Sequence, residues 1–559
     1  MLMLTNPDHL PLARLQQWAR ERPDATFLTQ PMGDGKTENY SFGRVLDESR
    51  RVAAYLQRFN WPPGSRIAIL SKNCAHWLMS DFAIWMAGHV SVPIYPTLTA
   101  DSVKLVLEHS EAVACFVGKL DAWPEMQAGV PSNVHAISYP LSPDTPFPSW
   151  DDIVRETEPL ATVPTRAADE LATLIYTSGT TGNPKGVMHP FSTFAKAPEI
   201  VRDGFGASSD DRLLSYLPLA HVAERVFVEA NALAFGFHVY FADSLDTFVQ
   251  DLVRARPTMF FSVPRLWTKF QQGVQSKLPQ KKLDLLLKIP LVNRLITQKI
   301  LKGLGLDAVR FAGGGASPMP PSLIDWWASL GIEIVEVYGM TENFGLSHGS
   351  FPGDGRVGYV GRPWPGVECK LSDSNEVLVK SPTTMLGYFR EDEKTREALT
   401  DDGFLRTGDL GAFDEAGRLR ITGRAREQFK TSKGKFVSPA PIENKLQQHD
   451  KIEACCVAGV SFPQPFALVM LPQEALDAVK ASVNAKESIS RSLTEHLEAV
   501  NAQIDPHERL DFLVVVAEQW TVENGLVTPT LKVKRNEIEK VYGAAFERWA
   551  AQKAAVVWA

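Results

Sequence analysis

The chain has 559 residues, of which 44% are hydrophobic, and its 58 Lys and Arg residues against 65 Asp and Glu residues give a net charge of −7. This length exceeds that of one ordinary domain, and the hydrophobic content excludes wholesale disorder. The mild negative charge gives no reason to expect a nucleic-acid partner, because such binding depends on clustered basic surface.

The five cysteines are few, odd in number and scattered, with no CxxC pair. This pattern argues against a disulfide framework and a thiolate zinc site, and it suits a reducing cytosol. Met1 to Arg20 lacks the basic start and apolar run of a signal peptide. The most apolar stretch, Phe227–Ala242, is interrupted by polar residues and reads as a buried core segment. We therefore expect a cytoplasmic protein with no membrane-spanning helix.

Helical and strand patterns alternate in the first part of the chain. Phe42–Arg58 has apolar residues at helical spacing, and Arg66–Leu70 is a short apolar run typical of a buried strand. A helical stretch at Trp77–Ala87 and a second strand at Val90–Tyr95 follow. This order predicts an α/β fold in which helices cover a parallel sheet.

The sequence pattern changes between Gly353 and Gly423, where glycines separate short segments such as Glu376–Lys380. These short segments predict antiparallel strands. After Arg424 the chain has its own strand and helix patterns up to the carboxyl end. We therefore predict a large domain of residues 1–425 and a small domain of residues 426–559.

An apolar strand at Leu174–Thr177 leads into a Ser/Thr/Gly segment that ends in Lys185. Glycines allow close approach of the backbone to phosphate, hydroxyl groups donate to its oxygens, and lysine adds positive charge. The segment is not a Walker A loop, because Pro184 and Gly186 flank the lysine where that loop needs Gly and Ser/Thr. A polar surface turn is the alternative. The candidate phosphate contacts besides Lys185 are Thr177, Ser178, Gly179, Thr180, Thr181 and Gly182.

Tyr176–Gly186 resembles the signature loop of the adenylate-forming superfamily, which includes acyl-CoA synthetases, luciferases and peptide-synthetase adenylation domains. Further motifs of that superfamily follow in order, so that the resemblance extends from about Arg20 to Tyr542. It implies a large amino-terminal domain, with parallel sheets, helices and a β-barrel-like sub-lobe, and a small mobile α+β carboxyl-terminal domain.

Two motifs are expected to line the substrate sites. Ser215–His221 resembles the segment beside the carboxylate substrate, although His221 alone would more often be a packed histidine. Phe311–Ser317 is a strand that enters a glycine turn, whose small residues would leave a slot for an adenine ring; a simple tight turn is the alternative. The chain has no GxSxG, so a serine-esterase reading lacks its nucleophile. The residues expected at the adenine slot are Gly314, Gly315, Ala316 and Ser317.

Val337–Glu342 resembles the YGxTE motif of the superfamily. The resemblance implies that Tyr338 stacks on adenine, Thr341 reaches phosphate and Glu342 holds Mg²⁺. Thr177 is expected as a second metal contact, and a solitary surface charge is the alternative for Glu342. Gly339 and Met340 complete the nucleotide contacts of this motif.

Residues around the predicted domain boundary resemble the nucleotide and hinge motifs of the superfamily. Asp409, in Arg406–Asp409, is expected to accept hydrogen bonds from the ribose hydroxyls, or else to be a turn-forming aspartate. Arg424 and Lys430 are expected nucleotide contacts. Arg426 lies at the hinge position, which is usually Asp or Lys in the superfamily.

Asn524–Arg535 resembles the terminal lysine motif in the form typical of long-chain acyl-CoA synthetases. Lys532 is the expected lysine at the α-phosphate, with Lys534 as the alternative. The resemblance therefore implies an AMP-forming ligase that uses ATP, Mg²⁺ and coenzyme A. Its predicted catalytic residues are Lys185, Thr341, Glu342 and Lys532.

The predicted substrate is a long-chain or medium-chain fatty acid, with His221 and Phe261 beside the acyl group, although aromatic residues are more often core. An acyl-AMP ligase that serves a carrier protein or amine and a non-catalytic acyl or nucleotide sensor are the alternatives. Residues 265–302 hold nine Lys or Arg residues and one acidic residue, interleaved with leucines. This pattern favours peripheral contact with the inner face of a membrane, with a solvated helical insertion as the alternative. The oligomeric state stays open.

Overall fold

The structure is a computed structural model that describes residues 5–177, 184–316, 319–528 and 531–559. The chain divides into a first unit of residues 1–369 and 379–406 and a second unit of residues 370–378 and 407–559. Within the described residues, no helix is both long enough and apolar enough to cross a membrane.

Strands occur throughout both units. They are β1 (Thr26–Pro31), β2 (Thr37–Ser41), β3 (Arg66–Leu70), β4 (Val90–Ile94), β5 (Ala112–Val117), β6 (His135–Ser138), β7 (Leu171–Thr177), β8 (Lys185–Pro190), β9 (Arg212–Ser215), β10 (His238–Phe241), β11 (Met259–Ser262), β12 (Phe311–Gly314), β13 (Ile334–Tyr338), β14 (His348–Gly349), β15 (Arg362–Pro363), β16 (Glu368–Leu371), β17 (Glu376–Lys380), β18 (Gly387–Tyr388), β19 (Leu405–Phe413), β20 (Leu419–Arg424), β21 (Phe429–Lys430), β22 (Phe436–Val437), β23 (Ala454–Ala458), β24 (Phe466–Met470), β25 (Leu513–Val515) and β26 (Val556–Trp558).

Helices separate most of these strands. They are α1 (Pro11–Glu21), α2 (Phe42–Gln57), α3 (Ala75–Met86), α4 (Ala100–Ser110), α5 (Trp123–Met126), α6 (Trp150–Glu156), α7 (Phe191–Phe205), α8 (Val222–Glu224), α9 (Asn231–Phe235), α10 (Phe248–Ala255), α11 (Pro264–Lys277), α12 (Gln280–Leu287), α13 (Val292–Leu304), α14 (Pro321–Ser329), α15 (Asp392–Ala398), α16 (Pro439–Leu446), α17 (Gln473–Ala481), α18 (Val483–Asn501), α19 (Arg535–Tyr542) and α20 (Phe546–Ala550). A π-helix occupies Arg225–Ala230, and one of the short 3₁₀ helices is Thr341–Asn343.

The largest sheet of the first unit has the order β18-β8-β7-β4-β3-β5-β6 among the described residues. Its strands from β7 through β4, β3 and β5 to β6 pair in parallel, whereas β8 and β18 join in antiparallel. Helix α3 is mostly apolar and wholly buried, as expected for a helix with no solvent face, although it also contains Asp81. Complete burial of one such side chain, Phe82, stabilises the fold by roughly 1.5–3 kcal/mol.

Two further sheets complete the α/β part of the first unit in its described residues. One has the order β2-β1-β10-β9, and the other has the order β11-β12-β13-β14-β15. Strands β11, β12 and β13 run parallel, so their carboxyl ends lie at one edge of that sheet. This edge is where a doubly wound sheet usually binds its ligands.

The antiparallel region forms a sheet with the order β16-β17-β19-β20, and it does not close into a barrel in the described residues. The expected barrel-like sub-lobe is therefore corrected to an open sheet, since β16 and β20 remain edge strands. The second unit also contains the β21-β22 hairpin and the sheet β23-β24-β25-β26. Helices α16 and α18 contribute Ile442 and Leu493 to its core, so this part is a mixed α/β structure with its own hydrophobic centre.

Candidate active site

Three motifs from distant parts of the sequence meet where β11, β12 and β13 end. Phe261 lies near the end of β11, Gly314 ends β12 and Tyr338 ends β13. The register pairs Phe261 with Gly313, and Gly314 with Glu336. The structure thus brings the predicted adenine segment, Tyr338 and Phe261 to one sheet edge.

The glycine segment after β12 is packed closely against its neighbours. A Cβ atom on Gly315 would lie 2.9 Å from the carbonyl oxygen of Val337, and one on Gly313 would lie 2.8 Å from Cδ2 of Phe261. Ala316 follows with a left-handed φ of 67°. These glycines are therefore required for close approach of the strands, and Ser317 lies outside the described residues.

Gly339 and the 3₁₀ helix Thr341–Asn343 form a tight turn after Tyr338. A Cβ atom on Gly339 would lie only 2.2 Å from the carbonyl carbon of Gly345. The turn closes when the Met340 N–H donates to Asn343 Oδ1 over 2.9 Å and the Gly345 N–H donates to the Met340 oxygen over 2.8 Å. The backbone of the predicted catalytic pair Thr341 and Glu342 is thus fixed by local bonds.

Glu342 and Lys185 meet the same tyrosine ring. The Tyr388 hydroxyl donates to Glu342 Oε1 over 2.8 Å, and Lys185 Nζ lies 4.6 Å from the centroid of the Tyr388 ring. Strand β18 places Tyr388 there because it pairs with β8, with Tyr388 opposite Val187. The carboxylate is mostly buried, at 9% exposure. The sequence analysis did not identify Tyr388, and its Gly-Tyr surroundings give no distinctive signal.

A buried histidine supports the same turn from the other side. His189, in β8, contacts the carbonyl oxygen of Thr341 through Nε2 over 2.7 Å. Burial lowers the pKa of His189 to about 4, so the ring is neutral near pH 7 and its Nε2–H donates to that oxygen. The structure therefore links the strand that begins at Lys185 to the backbone of Thr341.

The predicted phosphate segment leaves β7 and returns in β8. Thr177 and Lys185 are register partners across this antiparallel pair. Gly186 packs against the Tyr176 ring, where a Cβ atom would lie 3.2 Å from Cζ. Ser178, Gly179, Thr180, Thr181 and Gly182 lie outside the described residues. Within the described parts of the chain, no group of three or more His, Cys, Asp or Glu side chains is arranged to hold a metal ion.

The segment that carries His221 is held by a buried polar network. Asn73 donates to Ser215 Oγ over 2.8 Å and to the Leu217 carbonyl over 2.6 Å, and its Oδ1 accepts from the Leu219 N–H over 2.9 Å. Glu224 Oε1 accepts from Ser215 Oγ over 2.8 Å. Neither the asparagine nor the glutamate was singled out in the sequence, since each is a common residue in an unremarkable setting.

His221 caps the short helix after this network. Its Nδ1 accepts from the Ala223 N–H over 3.1 Å, which leaves a proton on Nε2 when the ring is neutral. Burial raises the pKa of Glu224 to about 8, so that carboxyl is largely protonated near pH 7. The predicted substrate residue therefore lies on a segment whose backbone is anchored, although its own ring is only half-buried.

A buried ionic cluster follows in the π-helix. Arg225 Nη1 contacts Asp81, and it lies 2.7 Å from Glu229 Oε2; all three side chains are 0% exposed. Burial raises the pKa of Glu229 well above its ordinary value, so burial favours the protonated form of that carboxyl. π-helices often occur beside functional sites, and this one begins four residues after His221.

Phe261 contacts Phe227 through its ring and Tyr216 through its backbone carbonyl. Its ring stacks on Phe227 with centroids 4.3 Å apart, and its carbonyl oxygen accepts from the Tyr216 hydroxyl over 2.9 Å. Phe227 belongs to the π-helix, so the segment of His221 and strand β11 contact each other directly. The structure thus brings the two predicted acyl-side segments together.

The second unit contains the remaining nucleotide candidates. Asp409 and Arg424 are register partners in β19 and β20, and Arg424 Nε lies 3.1 Å from Asp409 Oδ1. Asp409 is buried, and its N–H donates to Thr407 Oγ1 over 3.1 Å. Arg426 lies in an exposed 3₁₀ turn, and Lys430 Nζ lies 4.7 Å from the centroid of the Phe436 ring.

Lys532 precedes Val533, which forms an isolated antiparallel bridge with Val527. Its N–H donates to Thr528 Oγ1 over 3.1 Å, and its carbonyl oxygen accepts from the Thr528 N–H over 2.8 Å. The Lys532 side chain is exposed, whereas Lys534 is half-buried and precedes α19. Backbone bonds thus define the position of Lys532 within its own unit.

Sequence models of two protein families together match most of the chain. The model of AMP-binding enzymes matches residues 15–389, and the model of the AMP-binding enzyme C-terminal domain matches residues 427–552. The chain belongs to the AMP-binding enzyme family. The expected superfamily assignment is thereby confirmed.

Curated relatives of this AMP-binding enzyme are similar over most of their length. A peroxisomal long chain acyl-CoA synthetase 6 of Arabidopsis thaliana is 30% identical over 96% of this chain and 86% of its own length. A long-chain-fatty-acid–CoA ligase of Mycobacterium bovis is 31% identical over 94% of this chain and 95% of its own.

Solved structures share the fold at lower identity. The A domain of a carboxylic acid reductase from Segniliparus rugosus, in complex with AMP and a carboxylic acid, has a TM-score of 0.80 at 23% identity, covering 98% of this chain and 94% of that chain. The anthranilate CoA ligase AuaEII has a TM-score of 0.77 at 22% identity, covering 96% and 98%. These likenesses confirm the expected fold class.

Proposed function

We propose that this AMP-binding enzyme is a fatty acid–CoA ligase. In the first half-reaction a carboxylate oxygen of the fatty acid attacks the α-phosphorus of ATP, and the bond to pyrophosphate breaks to leave acyl-AMP. In the second, the sulfur of coenzyme A attacks the acyl carbon, its thiol proton passes to solvent, and AMP leaves. The choice of a long-chain acid rests on the names of the curated relatives.

The observation that carries the proposal is the joint position of Lys185 and Glu342 on the Tyr388 ring. A cation and a carboxylate therefore contact the same tyrosine, and the cation, Lys185, ends the predicted phosphate segment. Lys185 offsets negative charge on the phosphates of ATP, and the hydrogen bond from Tyr388 fixes the direction of the Glu342 carboxylate. Such fixed charges stabilise a transition state without reorganisation during the reaction.

Glu342 and Thr177 are proposed to hold Mg²⁺ together with phosphate oxygens of ATP. A single carboxylate fits this ion, because Mg²⁺ in phosphate sites commonly uses one or two carboxylates and completes its coordination with water and substrate. The Tyr388 hydroxyl donates to Oε1 and would restrict rotation of the Glu342 carboxylate if that group held the ion. When bound, the ion neutralises charge on the phosphates.

The nucleotide is proposed to lie against the edge formed by Tyr338 and the glycine turn. The ring of Tyr338 offers a stacking surface, and Gly339 and Met340 continue the same wall. Gly314, Gly315, Ala316 and Ser317 are proposed to bound the adenine slot, and Ser178, Gly179, Thr180, Thr181 and Gly182 the phosphates.

Residues of the second unit are proposed to complete nucleotide binding and to change roles between the half-reactions. Asp409 accepts from the ribose hydroxyls, while Arg424 and Lys430 contact the nucleotide. Lys532 offsets charge at the α-phosphate during adenylation, and residues 426–559 rotate about Arg426 to give coenzyme A access. Lid motions of this kind often determine turnover.

The acyl group is proposed to lie beside His221 and Phe261. The Asn73 network fixes the backbone of the His221 segment, and the stacked Phe227 and Phe261 rings provide an apolar wall. We also propose that the enzyme acts in the cytoplasm and draws its acid from the inner face of a membrane, which residues 265–302 contact.

Pyrophosphate exchange and thioester formation test the proposal. Wild type should exchange pyrophosphate into ATP only when a fatty acid is present, and AMP release should then depend on coenzyme A. Glu342→Gln should reduce exchange at least 100-fold without loss of folding, because the neutral amide is a poor metal ligand. Exchange without thioester formation would favour transfer to a carrier protein or amine, and absence of exchange with every acid would favour a silent sensor.

A further inference from the structure

Helices α12 and α13 expose an unusual set of large apolar side chains. In residues 265–302 the strongly exposed ones begin only after α11, whose Trp267, Phe270 and Val274 are buried. The exposed apolar residues are Leu285 at 62%, Ile289 at 42%, Leu291 at 79% and Leu295 at 67%. An isolated exposed leucine is ordinary, but four within 285–295 need a structural explanation.

The inner faces of these helices already account for core packing. Leu283 is fully buried, and Leu287, Ile300 and Leu301 pack against the same core. On α13, Leu295 and Lys302 fall within a narrow sector opposite Ile300, because each residue turns the helix by about 100°. The exposed leucines are therefore additional to the residues that hold the helices on the first unit.

Cations surround these leucines. On α12, Lys281 precedes Leu285 by four residues and Lys288 follows it by three, so all three lie on one face. The exposed cations of the two helices and their junction are Lys281, Lys282, Lys288, Arg294, Lys299 and Lys302. Asp284 is the single acidic residue of 280–304, and its carboxylate accepts from Gln280 over 2.6 Å. None of these six cations forms an ion pair with a residue that the structure describes.

Leu291, at the junction of α12 and α13, has a backbone conformation that is unusual for a leucine. Its φ of 69° lies in the left-handed region, which is costly for a bulky side chain. A glycine or asparagine would adopt this conformation with less strain, and a polar residue would suit 79% exposure better. A bulky apolar side chain at an exposed position with this backbone therefore costs stability in water.

We propose that this α12–α13 surface binds a bilayer leaflet rich in anionic lipid. The surface offers separate exposed leucines on two helices with lysine and arginine between them, which matches insertion at the boundary of headgroups and acyl chains. The cations pair with anionic headgroups, and the local charge contrasts with a chain whose net charge is −7. The inference deepens the membrane contact proposed above by confining it to 281–302 and assigning the leucines a role.

Vesicle flotation tests the surface with two lipid compositions. Wild type should float with vesicles of one part phosphatidylglycerol to two parts phosphatidylcholine and not with phosphatidylcholine alone. The triple variant Lys281→Glu/Lys282→Glu/Lys288→Glu should bind about 100-fold more weakly, because each basic residue near an anionic surface contributes about fivefold. Leu291→Ser/Leu295→Ser should weaken binding about 10-fold with the charge unchanged.

Matched controls separate the surface from general charge and hydrophobicity. Lys36→Glu/Lys480→Glu/Lys553→Glu makes the same charge change at exposed sites elsewhere, and Val460→Ser/Val483→Ser removes exposed apolar groups of the second unit. Both controls should bind mixed vesicles as wild type does. The far-UV circular dichroism spectrum and the urea unfolding midpoint should be the same in all variants, which shows that they fold and keeps this test independent of the proposed reaction.

Three results would overturn the proposal. If wild type does not float with the mixed vesicles, the chain has no such surface. If the triple lysine variant binds these vesicles as tightly as wild type does, the cations do not contribute to binding. Binding that survives both serine substitutions, and that transfers equally to soluble heparin, would assign the surface to an acidic macromolecule instead of a bilayer.

Discussion

The turn that carries Glu342 and the turn that carries Lys532 are built in opposite ways. The first is buried and receives bonds from Asn343, His189 and Tyr388. The second is bonded through the Lys532 N–H to Thr528 Oγ1, and its lysine side chain is exposed. A buried and hydrogen-bonded carboxylate such as Glu342 suits a group that acts in the same position throughout a reaction. An exposed cation such as Lys532 suits a group that acts in one half-reaction. The proposed mechanism uses this difference.

The largest expected effect comes from the buried cluster behind the acyl segment. Arg225→Ala should lower the free energy of unfolding by about 3–5 kcal/mol, because it leaves Asp81 buried without its cation. Urea unfolding followed by tryptophan fluorescence measures this loss. Lys430→Ala, at an exposed cation, is the control and should change stability by less than about 0.5 kcal/mol. Equal effects at the two sites would erase the distinction between fixed and exposed charge.

Lys532→Ala should lower the rate of adenylation 10²–10³-fold, equivalent to about 2.7–4 kcal/mol, since it removes charge stabilisation from one transition state. Thioester formation from supplied acyl-AMP should change less than about threefold, because the proposed lysine acts only in the first half-reaction. Single-turnover assays separate the two steps, and Lys534→Ala is the matched control. A larger loss in Lys534→Ala would transfer the role to that residue.

Tyr388→Phe should reduce adenylation about 10- to 150-fold, since a hydrogen bond to a charged group contributes about 1.5–3 kcal/mol. The substitution keeps the ring beside Lys185 and removes only the donor to Glu342, so the KM for ATP at limiting Mg²⁺ should rise. Tyr55→Phe provides the control, because its hydroxyl contacts His135 over 3.0 Å, remote in sequence from every predicted motif. Unchanged Mg²⁺ dependence in Tyr388→Phe would argue against Glu342 as the metal ligand.

The smallest effect concerns His189 and acid. Because burial lowers the pKa of His189 to about 4, the unfolded chain binds more protons than the folded chain between about pH 4 and 6.5. Stability should therefore fall as pH decreases through this window, by about 1 kcal/mol at pH 6. His189→Gln retains a donor for Thr341 and should show a shallower loss. If the free energy of unfolding falls equally with pH in wild type and His189→Gln, a residue other than His189 causes the loss of stability.

The sequence predicted much of the local architecture correctly. The strand at Arg66–Leu70 and the strand at Glu376–Lys380 have their predicted bounds, since short apolar runs between glycine-rich turns leave little freedom. The order of motifs predicted the family and the fold. The prediction of a β-barrel-like sub-lobe was wrong, because strand patterns do not reveal whether the first and last strands of a sheet pair with each other.

The supporting residues of the candidate site could not be predicted in the same way. Tyr388 lies about two hundred positions from Lys185, and only the pairing of β18 with β8 brings them together. Asn73 acts by capping backbone groups of a segment far along the chain. Such roles depend on long-range pairing and not on local pattern, so a sequence without its fold contains no sign of them.

The contact between Gly339 and Gly345 restricts how the family motif can vary. Most steric conflicts in a protein can be relieved by trimming the side chain on the other side. Here the obstacle is main chain, because the nearest atoms to a Cβ on Gly339 belong to the backbone of Gly345. No second substitution can therefore rescue an alanine at Gly339, and a genetic search for suppressors of that change should return only reversion to glycine.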